Sequence, residues 1–209
     1  MALSKQEIGA TVLTVIAILL EIFVLVSGTG NAPVLRDVFF TEVTWSNKFT
    51  RMGLWGSCYG EINSGVKECS VPTAPFKWSE AEGLGIKLSV DLPDSIYLAI
   101  LILYWIAFLA TCLAMQATVF TFFKRLPEFI LMLVSLMATG ALFIIFIIVV
   151  VTAAKFKNAA TGEDVSSSIG NGTWLVLGAM LASGLSTVWY TFNCLCRRNR
   201  TTAFDDLKA

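Results

Sequence analysis

Long apolar runs alternate along this chain with shorter segments that hold nearly all of its charged residues. Four runs stand out, at residues 8–27, 96–123, 129–154 and 173–195. A bilayer's hydrocarbon core of about 30 Å takes roughly 20 apolar residues to cross as a helix. Glu21 is the one charge inside these runs, and no proline interrupts them. Backbone polar groups in lipid must be satisfied within the segment, so runs of this kind predict spanning helices. The first run also invites a signal-peptide reading, with Lys5 ahead of it and small residues behind. A secretory apolar stretch covers only about 7–15 residues, so we expect a retained helix.

The segments between the runs have their own pattern. Residues 86–92 alternate apolar and polar and stop at Pro93, which predicts a half-buried strand. Residues 34–45 are rich in Val, Phe and Thr and read as a second strand. Residues 53–59 and 66–71 are shorter candidates around Asn63-Ser64-Gly65, a turn-type sequence. The expected fold is an all-α membrane protein: a four-helix bundle with a small extracellular antiparallel β-sheet in the first outer loop. It forms one domain, 1–209, with outer loops at 28–95 and 155–172, a cytoplasmic turn at 124–128 and a tail at 196–209.

Orientation follows from basic residues at helix ends. Lys124 and Arg125 fall between the second and third runs, and Arg197, Arg198 and Arg200 follow the fourth. Both places lie on one side, so both termini are expected to be cytoplasmic. Lys155 and Lys157 oppose this weakly, and Glu163 and Asp164 accompany them.

Composition sharpens the picture. Of 209 residues, 56% are hydrophobic and 14% charged, against about 25% charged in ordinary soluble chains. Lys plus Arg equals Asp plus Glu, which offers nucleic acid no argument. Histidine is absent, and with it the commonest general base and catalytic metal ligand. No nucleophile–base pair, phosphate-binding glycine loop or metal cluster is visible, so we expect no enzyme and no cofactor.

Two of the five cysteines, Cys58 and Cys69, lie in the first outer loop. An isolated pair in an oxidising compartment should bridge, and closing that loop is worth about 3 kcal/mol. A metal half-site is the competing reading, but no histidine or further cysteine is near.

The run Gly53-Leu54-Trp55-Gly56-Ser57-Cys58, followed by Cys69-Ser70, resembles the first-loop signature of the claudin-like tetraspan superfamily. Within it, the chain is most similar to the fungal cortical-patch family that includes PalI and the Sur eisosome proteins. The order of spans and loops matches over nearly the whole chain, whereas the specific motif covers only residues 53–70. Trp45 lies closer to Trp55 than in the claudin pattern, the outer loop is long, and the chain ends Asp206-Leu207-Lys208-Ala209 rather than in a scaffold-binding tail. No claudin pore residue carries over.

Several further positions call for a reading. Glu21 continues a face made by Ala10, Thr14 and Ala17, turned toward neighbouring helices. It is a cation- or proton-responsive site, a contact to a partner helix, or a carboxyl that is neutral or hydrogen-bonded to a group such as Tyr104; the last reading is preferred, since no other charge lies in a span to pair with it. Gln116 should lie toward the opposite leaflet. Gly178, Ala182 and Ser186 form a small-residue stripe suited to close helix packing, within the chain or between copies. Cys194 and Cys196, beside Arg197 and Arg198, suit palmitoylation as well as they suit two free thiols. Cys112 reads as a small core residue. The sequons at Asn171 and Asn199 are expected to be unused. Phe39, Phe40, Trp45 and Trp78 fill the sheet's core or rest at the membrane interface.

The resemblance implies a plasma-membrane organiser of a fungal cortical patch, contributing to cell-wall integrity, membrane organisation or stress response. Its partners would be membrane lipids, other membrane proteins met through helix faces and the outer loop, and further copies of itself. Two alternatives stand beside it. One is a PalI-like accessory to an ambient-pH receptor, which the fourteen residues after position 195 weaken. The other is a claudin-like junction component or channel-regulating subunit, for which three charge-free spans provide no polar path.

Overall fold

The computed structural model describes the backbone of residues 5–30, 32–33, 35–81, 93–123, 128–159 and 165–206. Side chains are described for 8–30, 32–33, 35–81, 93–120, 129–159 and 165–192. Four long helices account for most of it: α1 (Lys5–Leu25), α2 (Asp94–Phe123), α3 (Glu128–Ala159) and α4 (Asn171–Asp206). Each contains a stretch long and apolar enough to cross a membrane. The start of α2 follows Pro93, which cannot donate a helical hydrogen bond, and Asp94 in its first turn complements the helix dipole.

The helices pack as a ring, α1 beside α2, α2 beside α3, α3 beside α4, and α4 beside α1. Many buried positions on them are alanine, among them Ala10, Ala17, Ala107, Ala138 and Ala179. Small residues let helix backbones approach, which matters in lipid because no hydrophobic force drives one helix onto another. Leu98, Ile102, Trp105, Leu109 and Leu113 lie exposed along one side of α2, the side a bilayer would cover.

At one end of the bundle sits a five-stranded sheet in the order β4-β3-β2-β1-β5. Its strands are β1 (Thr41–Trp45), β2 (Lys48–Met52), β3 (Ser57–Glu61), β4 (Gly65–Cys69) and β5 (Val165–Ile169), and every pairing is antiparallel. The hairpin at Ile62–Ser64 falls at the turn-type sequence. The segment read as one strand over 34–45 is instead a single 3-10 turn, Leu35–Asp37, followed by β1. The strand expected at 86–92 lies outside the described residues.

The sequence reading confines the sheet to the loop between α1 and α2, but the sheet also draws a strand from the loop between α3 and α4. β5 comes from the second loop and pairs with β1, Val43 opposite Ser167. The join is tight: the Gly170 and Gly172 N–H groups donate to the Phe40 and Phe39 carbonyls, each at 2.8 Å. A Cβ on Gly170 would stand 2.2 Å from the Phe39 carbonyl oxygen, so only glycine fits there.

Sheet and helices share one core. Phe40, Val43 and Met52 from the sheet side pack with Val24, Tyr104, Phe156 and Val176 of the helices. Trp78 is its centre, 3% exposed, stacked on Phe40 at 5.8 Å and edge-on to Phe156 at 5.7 Å. Of the four outer-loop aromatics, Phe40 and Trp78 are core; Phe39 and Trp45 are half-buried, and the Arg51 guanidinium lies over Phe39.

Candidate functional site: the capped end of the first helix

An α-helix ends with carbonyl groups that have no partner of their own. In α1 the chain supplies partners from far along the sequence. The Trp55 indole Nε1 donates to the Leu25 carbonyl. The Leu54 N–H donates to Ser27 Oγ at 3.1 Å, and the Trp55 N–H to the Ser27 carbonyl at 3.4 Å. Gly28 follows in the left-handed region, φ +74°, the usual conformation just past a helix end.

The two glycines of the Gly-Leu-Trp-Gly motif make this docking possible. Gly53 and Gly56 lie directly on Gly28. A Cβ on Gly53 would be 2.8 Å from Gly28 Cα, and one on Gly56 would be 2.9 Å from the Gly28 carbonyl oxygen and 2.7 Å from Ser70 Oγ. Backbone against backbone leaves no room for a side chain.

The rest of the motif holds the loop in that pose. The Gly53 N–H donates to the Gly56 carbonyl at 2.8 Å. Ser70 Oγ accepts from the Ser57 N–H at 2.9 Å, and the Ser70 N–H donates to the Ser57 carbonyl at 2.8 Å. Trp78 Nε1 donates to the Gly53 carbonyl at 3.2 Å. Cys58 and Cys69 sit opposite each other on β3 and β4, Cα atoms 4.0 Å apart, and form a disulfide. Within the signature, Gly53, Leu54, Trp55 and Gly56 meet the end of α1, while Ser57, Ser70 and the disulfide brace the loop that carries them.

One turn before Leu25 lies Glu21, 0% exposed. Its Oε1 accepts from Thr111 Oγ1 at 2.9 Å, and Oε2 has no hydrogen-bond partner among the described residues. Tyr104, proposed from the sequence as the carboxyl's partner, donates instead to the Glu21 backbone carbonyl at 3.4 Å. Ala10, Thr14 and Ala17 are buried on the same face.

The stripe on α4 faces α1. A Cβ on Gly178 would be 3.2 Å from Leu20 Cδ1, Ala182 is buried, and Ser186 Oγ donates to the Ala10 carbonyl at 3.2 Å. The sequence reading missed a wider seam of buried hydroxyls centred on α4. Ser135 and Thr187 are 2.6 Å apart, Thr139 and Ser183 2.9 Å, and Thr118 and Tyr190 3.1 Å. Hydroxyl residues at i, i+4 spacing, as in Ser135/Thr139 and Ser183/Thr187, were the available signal. Cys112 is half-exposed on α2 rather than a core residue. The side chains of Cys194 and Cys196 lie outside those described. In the Asn171 sequon, Thr173 is buried and its hydroxyl donates to the Phe40 carbonyl.

Comparison with known proteins follows the same lines. A search of curated proteins finds no match. The protein-family model described as the SUR7/PalI family matches residues 7–186, a span that takes in the capping motif, the whole sheet and the membrane-length part of every helix but the last turns of α4. A continuous match over so much of the chain, in which the signature residues are the ones that close the cap, places this protein in the SUR7/PalI family.

Proposed function

We propose that the protein is a non-enzymatic organiser or accessory subunit of a fungal plasma-membrane patch, working in cell-wall integrity, membrane organisation or stress response. Family membership carries this reading. Its mechanism follows from the shared core: a partner binding the sheet also reads the arrangement of the helices, because Trp78, Phe40 and Phe156 tie the two together. The sheet faces outward and both termini face the cytoplasm. This is supported by the disulfide, which belongs on an oxidising side, and by the basic residues at the opposite helix ends. The partners are membrane lipids, other membrane proteins and further copies of the chain.

A C-terminally tagged protein, imaged in its native host with photobleaching, tests this. Static surface patches that recover slowly support it. Diffuse, fast-recovering or endosomal signal rejects it. One observation favours a second reading, an accessory to an ambient-pH receptor: Glu21 is the one acidic or basic side chain within the four apolar runs, and it is buried with an oxygen unpartnered among the described residues. A pH-dependent growth defect in Glu21→Gln cells with intact patches would favour that role.

A further inference from the structure

Between the start of α2 and the end of α3 the bundle leaves an open groove of about 460 Å³, within the range of small-ligand clefts, roughly 300–1,000 Å³. Ile96, Ala99, Ile147 and Val151 line it, and Ser95 and Lys155 close its sheet-side end. Both helices are of membrane-crossing length and hydropathy. Ile147 and Val151 are exposed on the bundle's outer side, at 45% and 49%. The groove therefore opens sideways, toward hydrocarbon, with a polar rim where the hydrocarbon ends.

Charge at that rim selects the occupant. Asp94, next to Ser95, would repel an anion, but Lys77 holds it at 2.8 Å and also reaches Glu80 at 3.4 Å. The hydrogen bond that the Lys77 ammonium donates to Asp94, and after it the one to Glu80, keeps its pKa above the usual lysine value. Lys77 thus offsets one of its two carboxylate partners and that cluster keeps one net negative charge, but none of its three residues lines the groove, whereas Lys155 does. Lys155 is exposed and forms no ion pair among the described residues. One ammonium, Lys155, and two hydroxyls, Ser95 and Thr152, stand in an otherwise aliphatic lining. The first turn of α2, whose dipole favours negative charge, is beside them.

We propose that this groove seats an acyl chain of an anionic, phosphate-bearing membrane lipid, with its headgroup held between Lys155 Nζ and the Ser95 hydroxyl. A zwitterionic choline lipid fits less well, because its own ammonium would approach Lys155. The lysine's aliphatic stem lies along the apolar wall while its head stays at the interface, as lysines at membrane edges do. The inference stands on the groove alone and is independent of any role in patches.

The test uses the full chain in phosphatidylcholine nanodiscs with spin-labelled phosphatidylglycerol, and with spin-labelled diacylglycerol of the same chain length. Association is read from the motionally restricted fraction. Lys155→Gln should weaken phosphatidylglycerol association about fivefold, the factor one basic residue contributes near a lipid surface, and leave diacylglycerol unchanged. Basic residues at the other end of the bundle act equally in both proteins and cancel. Ala99→Phe, which fills the groove, should weaken both lipids. Unchanged phosphatidylglycerol association in Lys155→Gln overturns the headgroup contact. Unchanged association of both lipids in Ala99→Phe overturns the acyl seat. Lys155 is on the surface, so a folding defect does not obscure the first result; an intact Cys58–Cys69 bridge in both variants checks it.

Discussion

The indole of Trp55 donates its hydrogen to the carbonyl of Leu25, the last residue of α1, across thirty positions of sequence. This one bond explains why the signature carries tryptophan rather than another large apolar residue. A membrane helix that emerges at the lipid boundary exposes carbonyls where water is scarce, and an indole brings both a donor and apolar bulk.

Trp55→Phe keeps the bulk and removes the donor. The Leu25 carbonyl is then left without its partner, and the expected loss is about 1–3 kcal/mol of stability. Thermal unfolding of the purified protein in one detergent, compared with the parent chain, measures it. An unchanged midpoint would show that solvent or another group replaces the indole.

Gly56→Ala should be far more damaging, because its methyl would meet the Gly28 carbonyl oxygen and Ser70 Oγ, at 2.9 and 2.7 Å. Backbone cannot step aside as a side-chain tip can, so the cap must open. The expected cost is well above the roughly 1 kcal/mol typical of single substitutions. Gly30→Ala is the matched control, since a Cβ there meets nothing within 4 Å. The fraction of each variant recovered as monodisperse, disulfide-bonded protein should separate the two sharply.

What the sequence made legible follows from how local each signal is. The four helices announce themselves by uninterrupted apolar runs, and the β3–β4 hairpin by its turn residues. β2 was missed because Lys48 and Arg51, on opposite faces of the strand, break up a five-residue signal. β5 was missed for a different reason: Val165-Ser166-Ser167-Ser168-Ile169 has little strand preference of its own. It becomes a strand by pairing with β1, a contact some 120 positions away. The same limit applies at the site. The motif was visible, but not that Gly28 is the surface it docks on. Glu21's buried face was visible, but not which rotation of α2 would offer Thr111 rather than Tyr104.

Cys58→Ser and Cys69→Ser should each lower stability by about 3 kcal/mol, the chain-entropy value for a short closed loop. The double variant should lose no more than either single one, because both remove the same bridge. Non-reducing mass spectrometry of the parent chain should find the two joined. Free thiols there would remove the disulfide from the cap.

Glu21 offers the sharpest separation between packing and charge. In Glu21→Gln the carboxamide oxygen can still accept from Thr111, so stability should stay within about 1 kcal/mol of the parent chain. Glu21→Lys should fail to accumulate as folded protein, since no acidic residue lies in any other span to pair with a buried ammonium. Thr111→Val should cost about 0.6 kcal/mol and no more than about 1.7, the range of hydrogen bonds between membrane helices. Combining Thr111→Val with Glu21→Leu removes both partners, and the second substitution should then add less than it does alone. Thermal unfolding of the parent chain, Thr111→Val, Glu21→Leu and the double variant under one set of detergent conditions closes the cycle. Strict additivity would mean that the 2.9 Å contact between Thr111 and Glu21 contributes nothing to holding α1 against α2.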